Sequence, residues 1–185
     1  MRFFYMCFFA SVFIISCAPA KPSSSEISAK KPQPKIILPQ QPVSTPSHIR
    51  FISDNEGLFT PREAQKLDSL VRTFEKSNLI SIKLVTVTNP AITKENFDQY
   101  NKELLEEWGA LHGNSSKCIA ISISKKLRQI SIDTGPFVQQ LLSENETQSV
   151  IEHHFKPLFR QQQFYQGTVG GLNGLMDTIR KNIKW

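Results

Sequence analysis

From Cys118 to Ser124, apolar and small residues alternate. Ile119, Ile121 and Ile123 fall on one face, and Cys118, Ala120, Ser122 and Ser124 on the other. A period of two is the mark of a strand, and a face of small side chains lets a helix approach closely. After the polar stretch Lys125-Lys126-Leu127-Arg128 the alternation resumes with Ile130 and Ile132 and stops at Thr134-Gly135-Pro136. The pattern predicts a β-hairpin, with Pro136 barring its continuation.

Upstream, Ile49 to Ile52 predicts a first short strand, and Ser53 to Gly57 a turn. Thr60-Pro61-Arg62-Glu63 then places a capping hydroxyl, a proline at the first helical position and a glutamate at the third. The helix this opens carries Ala64, Leu67, Leu70, Val71 and Phe74 on one face. Leu79 to Thr88 is apolar on both faces, as in a central strand covered from above and below. A second helix, capped by Thr93 or a neighbour and closed by Gly113-Asn114, spaces Phe97, Tyr100, Leu104, Trp108 and Leu111 on one stripe, with Trp108 as a core anchor. Beyond the hairpin, Ser143 to Glu146 forms another capping box, opening a helix with Val150, Ile151 and Phe155 inward that Pro157 interrupts or kinks. A last helix, about Tyr165 to Lys184, aligns Val169, Leu172, Leu175 or Met176, Ile179 and Ile183. The order βαβαββαα predicts an α/β fold, a three-layer α/β/α sandwich whose mixed, mainly parallel sheet ends in a hairpin strand.

The start of the chain has another character. Phe3 to Ile15 is apolar after Met1-Arg2, too short for the about 20 residues of a spanning helix and suited to an export signal. Ile14-Ile15-Ser16-Cys17 resembles a bacterial lipobox. That resemblance implies cleavage between Ser16 and Cys17, acylation of Cys17, and a protein held to a membrane of the bacterial envelope by acyl chains. Ala18 after the cysteine favours the outer membrane, facing the periplasm. An ordinary signal peptide or a short uncleaved anchor is the other reading of the same leader. Residues 17–48 contain repeated Pro, Ser and Lys and no core-forming pattern, as in a disordered tether. Residues 49–185 remain as one domain.

Five of the 22 Lys and Arg and one of the 16 Asp and Glu precede that domain. It is therefore close to neutral, without the concentrated basic face that nucleic acid requires. With Cys17 lipidated, the mature chain retains only Cys118 as a thiol, so no internal disulfide is expected. Cys118 itself reads as a compact filler of a buried strand rather than a nucleophile.

The order of elements and several local strings together resemble the TPM domain, a family named for plant thylakoid-lumen, photosystem-repair and nematode receptor-associated proteins and common in exported bacterial proteins. The strings are Asp54-Asn55-Glu56-Gly57-Leu58-Phe59-Thr60, the strand Ile82 to Val87, the Trp108 helix, Asp133-Thr134-Gly135, Pro157-Leu158-Phe159-Arg160 and Phe164-Tyr165-Gln166-Gly167. The resemblance covers nearly all of residues 54–180. It implies two kinds of role, divalent-metal binding with phosphatase activity, or assembly and auxiliary work at membranes. Asp54 matches the family's acidic residue before the first helix. The glycine-rich turn with its glutamate and later aspartate is replaced here by Gly135-Pro136-Phe137-Val138-Gln139-Gln140 and Ser143-Glu144.

A hard cation such as Ca²⁺ or Mg²⁺ needs six or more oxygens, so Asp54, Asp133 and Glu144, with Glu56, form a site only if loops at one sheet end meet. Turn and cap roles are the other reading of those residues. His153 and His154 point about 100° apart on a helix and cannot chelate one ion together. Gly167, Gly170, Gly171 and Gly174 lack the strand and Lys-Ser or Lys-Thr of a phosphate loop and read as close helix packing. Phe155, Phe159, Phe164 and Tyr165 either cover the sheet or line a partner groove rimmed by Arg160 and Gln161 to Gln163.

The reading that follows is a lipid-anchored envelope module, non-enzymatic, that binds or helps assemble a membrane or periplasmic protein partner. The alternative is a metal-dependent phosphatase acting on phosphomonoesters through Asp54 with Glu144 or Asp133. An inert spacer is the third possibility.

Overall fold

The computed structural model describes residues 50–183. The leader, Ser16, Cys17 and the tether to residue 48 lie outside the described residues. Four strands form one sheet in sequence order: β1 (Ile52–Asp54), β2 (Ser81–Thr86), β3 (Cys118–Ser124) and β4 (Gln129–Thr134). The first three are parallel, and β4 turns back antiparallel to β3. Helix α1 (Pro61–Asn78) and helix α2 (Phe97–His112) are the two crossovers. After the hairpin come a short helix α3 (Pro136–Gln139), α4 (Glu144–Val150), a wide π-type turn over Ile151–Phe155, α5 (Lys156–Arg160) and the long α6 (Phe164–Asn182). The layers are those of an α/β/α sandwich, as the pattern predicts.

Both faces of β3 are buried along its whole length. Its isoleucine face joins Leu67, Val71, Phe74, Leu172, Leu175 and Ile179 from α1 and α6 in the main core. Its small face lies against α2, where Asn101, fully buried, donates to the carbonyl of Ala120 at 3.1 Å. Trp108 is buried as expected, and its Nε1 donates to Ser81 Oγ at 3.1 Å. Phe51 meets the Trp108 ring edge-on, and the Lys83 ammonium lies 4.9 Å from its centroid.

Both capping boxes form, Thr60 with Glu63 and Ser143 with Glu146. The second helix departs from expectation at its start, where Asn96 occupies the cap without a side-chain cap bond, and at Leu111, which is 67% exposed because the sheet has ended beneath it. The first strand begins at Ile52, after Arg50 and Phe51, and Ile49 lies outside the described residues. The second begins at Ser81, since Leu79 takes a left-handed conformation (φ 56°) that closes α1 and points its side chain to solvent. The interruption expected at Pro157 takes the form of the π-type turn just before it. The proline itself stands in the first turn of α5, where its missing N–H costs nothing.

Of the four glycines of α6, Gly167, Gly171 and Gly174 lie close against Phe159, Phe155 and His154, and Gly170 does not share that packing role. A Cβ on Gly171 would fall inside the ring of Phe155, which is fully buried, whereas one on Gly170 would meet only the His154 carbonyl at 3.6 Å. Gly171→Ala should therefore destabilise the fold by about 1–3 kcal/mol through overpacking. Gly170→Ala should be neutral or stabilising by up to about 1 kcal/mol from helix propensity. Urea-denaturation midpoints of the two variants against the parent check the contrast.

Candidate functional site

At the end of β1 the Asp54 carboxylate is fully engaged. Its Oδ1 accepts from the Leu58 N–H (3.0 Å) and the Thr86 hydroxyl (2.7 Å), and its Oδ2 from the Phe59 N–H (2.8 Å). Thr86 Oγ1 in turn accepts from the Glu56 N–H at 2.8 Å. Glu56 reaches across the sheet to the hairpin, accepting from the backbone N–H of Lys125 (2.8 Å) and Lys126 (3.3 Å) and from Ser124 Oγ (3.2 Å). The acidic turn is thus a clamp that fixes the entry to α1 and the β3–β4 turn.

Asp133 lies elsewhere. It stands opposite Ala120 on β4, beneath α2, and accepts from Asn101 Nδ2 at 2.7 Å. Asn101 Oδ1 accepts from Ser122 Oγ at 2.6 Å, and Ser131 Oγ donates to Asp98 at 2.8 Å, so the small face of β3 and β4 carries a buried polar ladder. Burial pushes the Asp133 carboxyl above its usual range, outweighing the hydrogen bond from Asn101. Glu144, in the first turn of α4, faces the outer rim of β4. Asp54 and Asp133 occupy opposite edges of a four-stranded sheet, roughly 14 Å apart at 4.7–4.9 Å per strand, and also opposite ends of it. The three carboxylates share no ligand sphere, and their oxygens do not fit a common divalent cation. Among the described residues no group of three or more His, Cys, Asp or Glu side chains is placed to hold a metal.

The remaining candidates have plain roles. Cys118 is buried, its thiol is pushed up to about 11 by that burial, and it donates to the Asn114 carbonyl. His153 is exposed and bonds the Ser149 carbonyl at 2.9 Å, while the His154 ring rests on Gly174.

Concavity is found instead along the outer rim of β4. Two cavities, of about 480 and 560 Å³, share Arg128, Gln129, Ile130 and Lys156 and so form one groove. The end near the hairpin turn is lined by Lys125, Arg128, Lys156 and Arg160 with the rings of Phe159 and Phe164. The other end has Asp98 and Glu144 facing across Ile132. Of the aromatic and polar set singled out in the sequence, Phe159, Phe164, Arg160 and Gln162 line the end near the hairpin turn, while Phe155 lies in the core and Phe159, Phe164 and Tyr165 also pack against it, so both readings of these rings hold in part. Arg128 and Gln162, two residues of this groove, adopt left-handed backbone conformations (φ 56° and 61°). The sequence reading places Arg160 on a rim but misses Lys125, Arg128 and Lys156, because these cations come from two separate stretches, the hairpin turn and α5. Each is unremarkable in its own stretch.

Asp133→Asn keeps an acceptor for Asn101 and removes a charge that burial penalises. A raised folded-state carboxyl contributes stability that is present at low pH and lost as pH rises through its folded value. Asp133→Asn should therefore be the more stable protein at pH 7, with the advantage vanishing as pH falls toward the ordinary aspartate value of 3.8. Thermal melts of both proteins from pH 3 to 8 check the sign.

The fold has solved counterparts. The N-terminal domain of a protein from P. gingivalis is 17% identical with a TM-score of 0.64, over 71% of this chain and 83% of that one. BA42 from the psychrophilic bacterium Bizionia argentinensis is also 17% identical, with a TM-score of 0.59 over 71% and 88%. The N-terminal domain of cg2496 from Corynebacterium glutamicum is 12% identical, with a TM-score of 0.54 over 77% and 86%. No curated protein matches the chain. The family model of the TPM domain matches residues 52–178, which is most of the sequence, and the chain belongs to the TPM domain family.

Proposed function

We propose that this chain is a lipid-anchored, non-enzymatic TPM module of the bacterial envelope that binds or helps assemble a membrane or periplasmic protein, using the groove along β4. The observation that carries this reading is the employment of the acidic residues. Asp54 commits both oxygens to Leu58, Phe59 and Thr86, and Asp133 is held under α2 by Asn101. Each carboxylate thus has donors supplied by the fold itself, which supports a structural use of both. The groove, by contrast, combines half-buried apolar side chains with charged groups of both signs, the composition of a recognition surface.

Anchoring rests on the lipobox-like Ile14-Ile15-Ser16-Cys17. Among the described residues no helix is long and apolar enough to cross a membrane. Several acyl chains, at about 0.8 kcal/mol per buried CH₂, hold a protein to a bilayer durably. The outer membrane, facing the periplasm, is the proposed location.

Cys17→Ala should move the protein from the membrane to the soluble fraction and remove the acyl mass, as read by fractionation and mass spectrometry. The full chain should not turn over a generic phosphomonoester in Ca²⁺, Mg²⁺ or Mn²⁺ above a protein-free blank. Turnover that disappears in Asp54→Ala while the variant keeps its melting temperature would replace this reading with the phosphatase.

A further inference from the structure

We infer that the groove takes an extended peptide segment of a partner protein, which adds to β4 as a fifth strand and seats an acidic residue at the hairpin end. The inference rests on the partner-binding reading above and specifies its chemistry.

The backbone of β4 is open on its outer side. Gly135 N–H donates to the Cys118 carbonyl at 2.8 Å. In the antiparallel register this makes Ala120–Asp133, Ser122–Ser131 and Ser124–Gln129 the hydrogen-bonded pairs. The N–H and C=O groups of the intervening Ile130 and Ile132 therefore face away from β3. No backbone group of another described element bonds to them. At Thr134 the rim closes, since its carbonyl accepts from Gln139 Nε2 at 2.9 Å. Two unpaired backbone rungs thus remain open inside the groove, with Ile130 and Ile132 half-buried beside them. Such a row is a template for another strand. The other edge strand is different: β1 has only three residues, too few to offer a comparable row.

Charge gives the groove a direction. Around the hairpin end stand Lys125, Arg128, Lys156 and Arg160, and no carboxylate lines that cavity. Lys156 is paired with Glu152, and the Lys125 ammonium lies 5.3 Å from the Phe164 ring centroid, which leaves Arg128 and Arg160 without a direct salt bridge among the described residues, Glu152 acting on Arg160 only at longer range. Asp98 and Glu144 occupy the far end. Gln129, lining both cavities, has a buried Oε1 without a hydrogen-bond partner among the described residues, an acceptor suited to a backbone N–H of the incoming strand.

The test uses the full-length chain, ¹⁵N-labelled in detergent micelles, with three fluorescent peptides. These are Glu-Glu-Val-Thr-Val-Thr-Val, the same peptide with Lys for both Glu, and the acidic peptide N-methylated at alternate residues. The acidic peptide should bind about tenfold more tightly than the lysine peptide, the worth of one to two well-placed charge pairs. It should also slow hydrogen exchange at the Ile130 and Ile132 amides. N-methylation should abolish both effects.

Ile130→Pro removes an outward N–H that the β3–β4 ladder does not use, a substitution edge strands tolerate, and should lose binding with its circular dichroism unchanged. Arg160→Glu gives an independent reading, removing the preference for the acidic peptide. Equal binding of the methylated peptide, or tight binding without protection at Ile130 and Ile132, overturns strand addition. Protection of those amides without peptide, rising with protein concentration, overturns it in favour of self-association. If no peptide binds while a photo-crosslinker at Gln162 still captures the same envelope protein reproducibly, strand addition fails and partner binding stands. If neither occurs, both fall.

Discussion

Everything in this domain depends on the unequal faces of β3. The isoleucine face is broad enough to hold the main core against α1 and α6, while Cys118, Ala120, Ser122 and Ser124 leave so little bulk on the other side that α2 can rest almost on the backbone. That close approach brings Asn101 within reach of the Ala120 carbonyl, Ser122 and Asp133 at once. The amide is satisfied without water, and a wholly buried polar side chain becomes tolerable. Enlarging Ala120 or Ser122 would lift α2 and strand that amide, so the restriction to small residues there has an electrostatic reason as well as a steric one.

Much of this is legible in the order of residues alone. Thr60 to Glu63 and Ser143 to Glu146 reveal helix starts because capping involves only four adjacent residues, and the hairpin turn at Lys125 to Arg128 stands out because the alternation stops and resumes around it. What is not legible depends on neighbours distant in sequence. Asn101 looks like one more polar residue on a helix whose outer face holds Lys102, Glu103, Glu106 and Glu107. Nothing local says that it points at β3. Leu111 keeps helical spacing yet is exposed, since the spacing does not know where the sheet ends. Leu79 looks like the first residue of a strand, but the helix before it needs a left-handed residue in order to stop.

The acidic residues illustrate the same limit in chemistry. Asp54 and Glu56 sit in a turn that resembles the family's acidic turn, and a cluster of carboxylates suggests a cation. In the folded chain the turn's anionic oxygens are occupied by backbone N–H groups and hydroxyls, a use that needs no ion. Their charge is matched to the dipoles of a loop, and the two carboxylates knit β1 to β2 and to the far hairpin.

The sheet order β1-β2-β3-β4 also sets two margins of the domain apart. The polypeptide passes Arg50 beside the first ribbon, and the unfinished margin is the one three ribbons away. With the two central strands between them, a change at the short first ribbon reaches the open margin only by passing through the middle of the sheet.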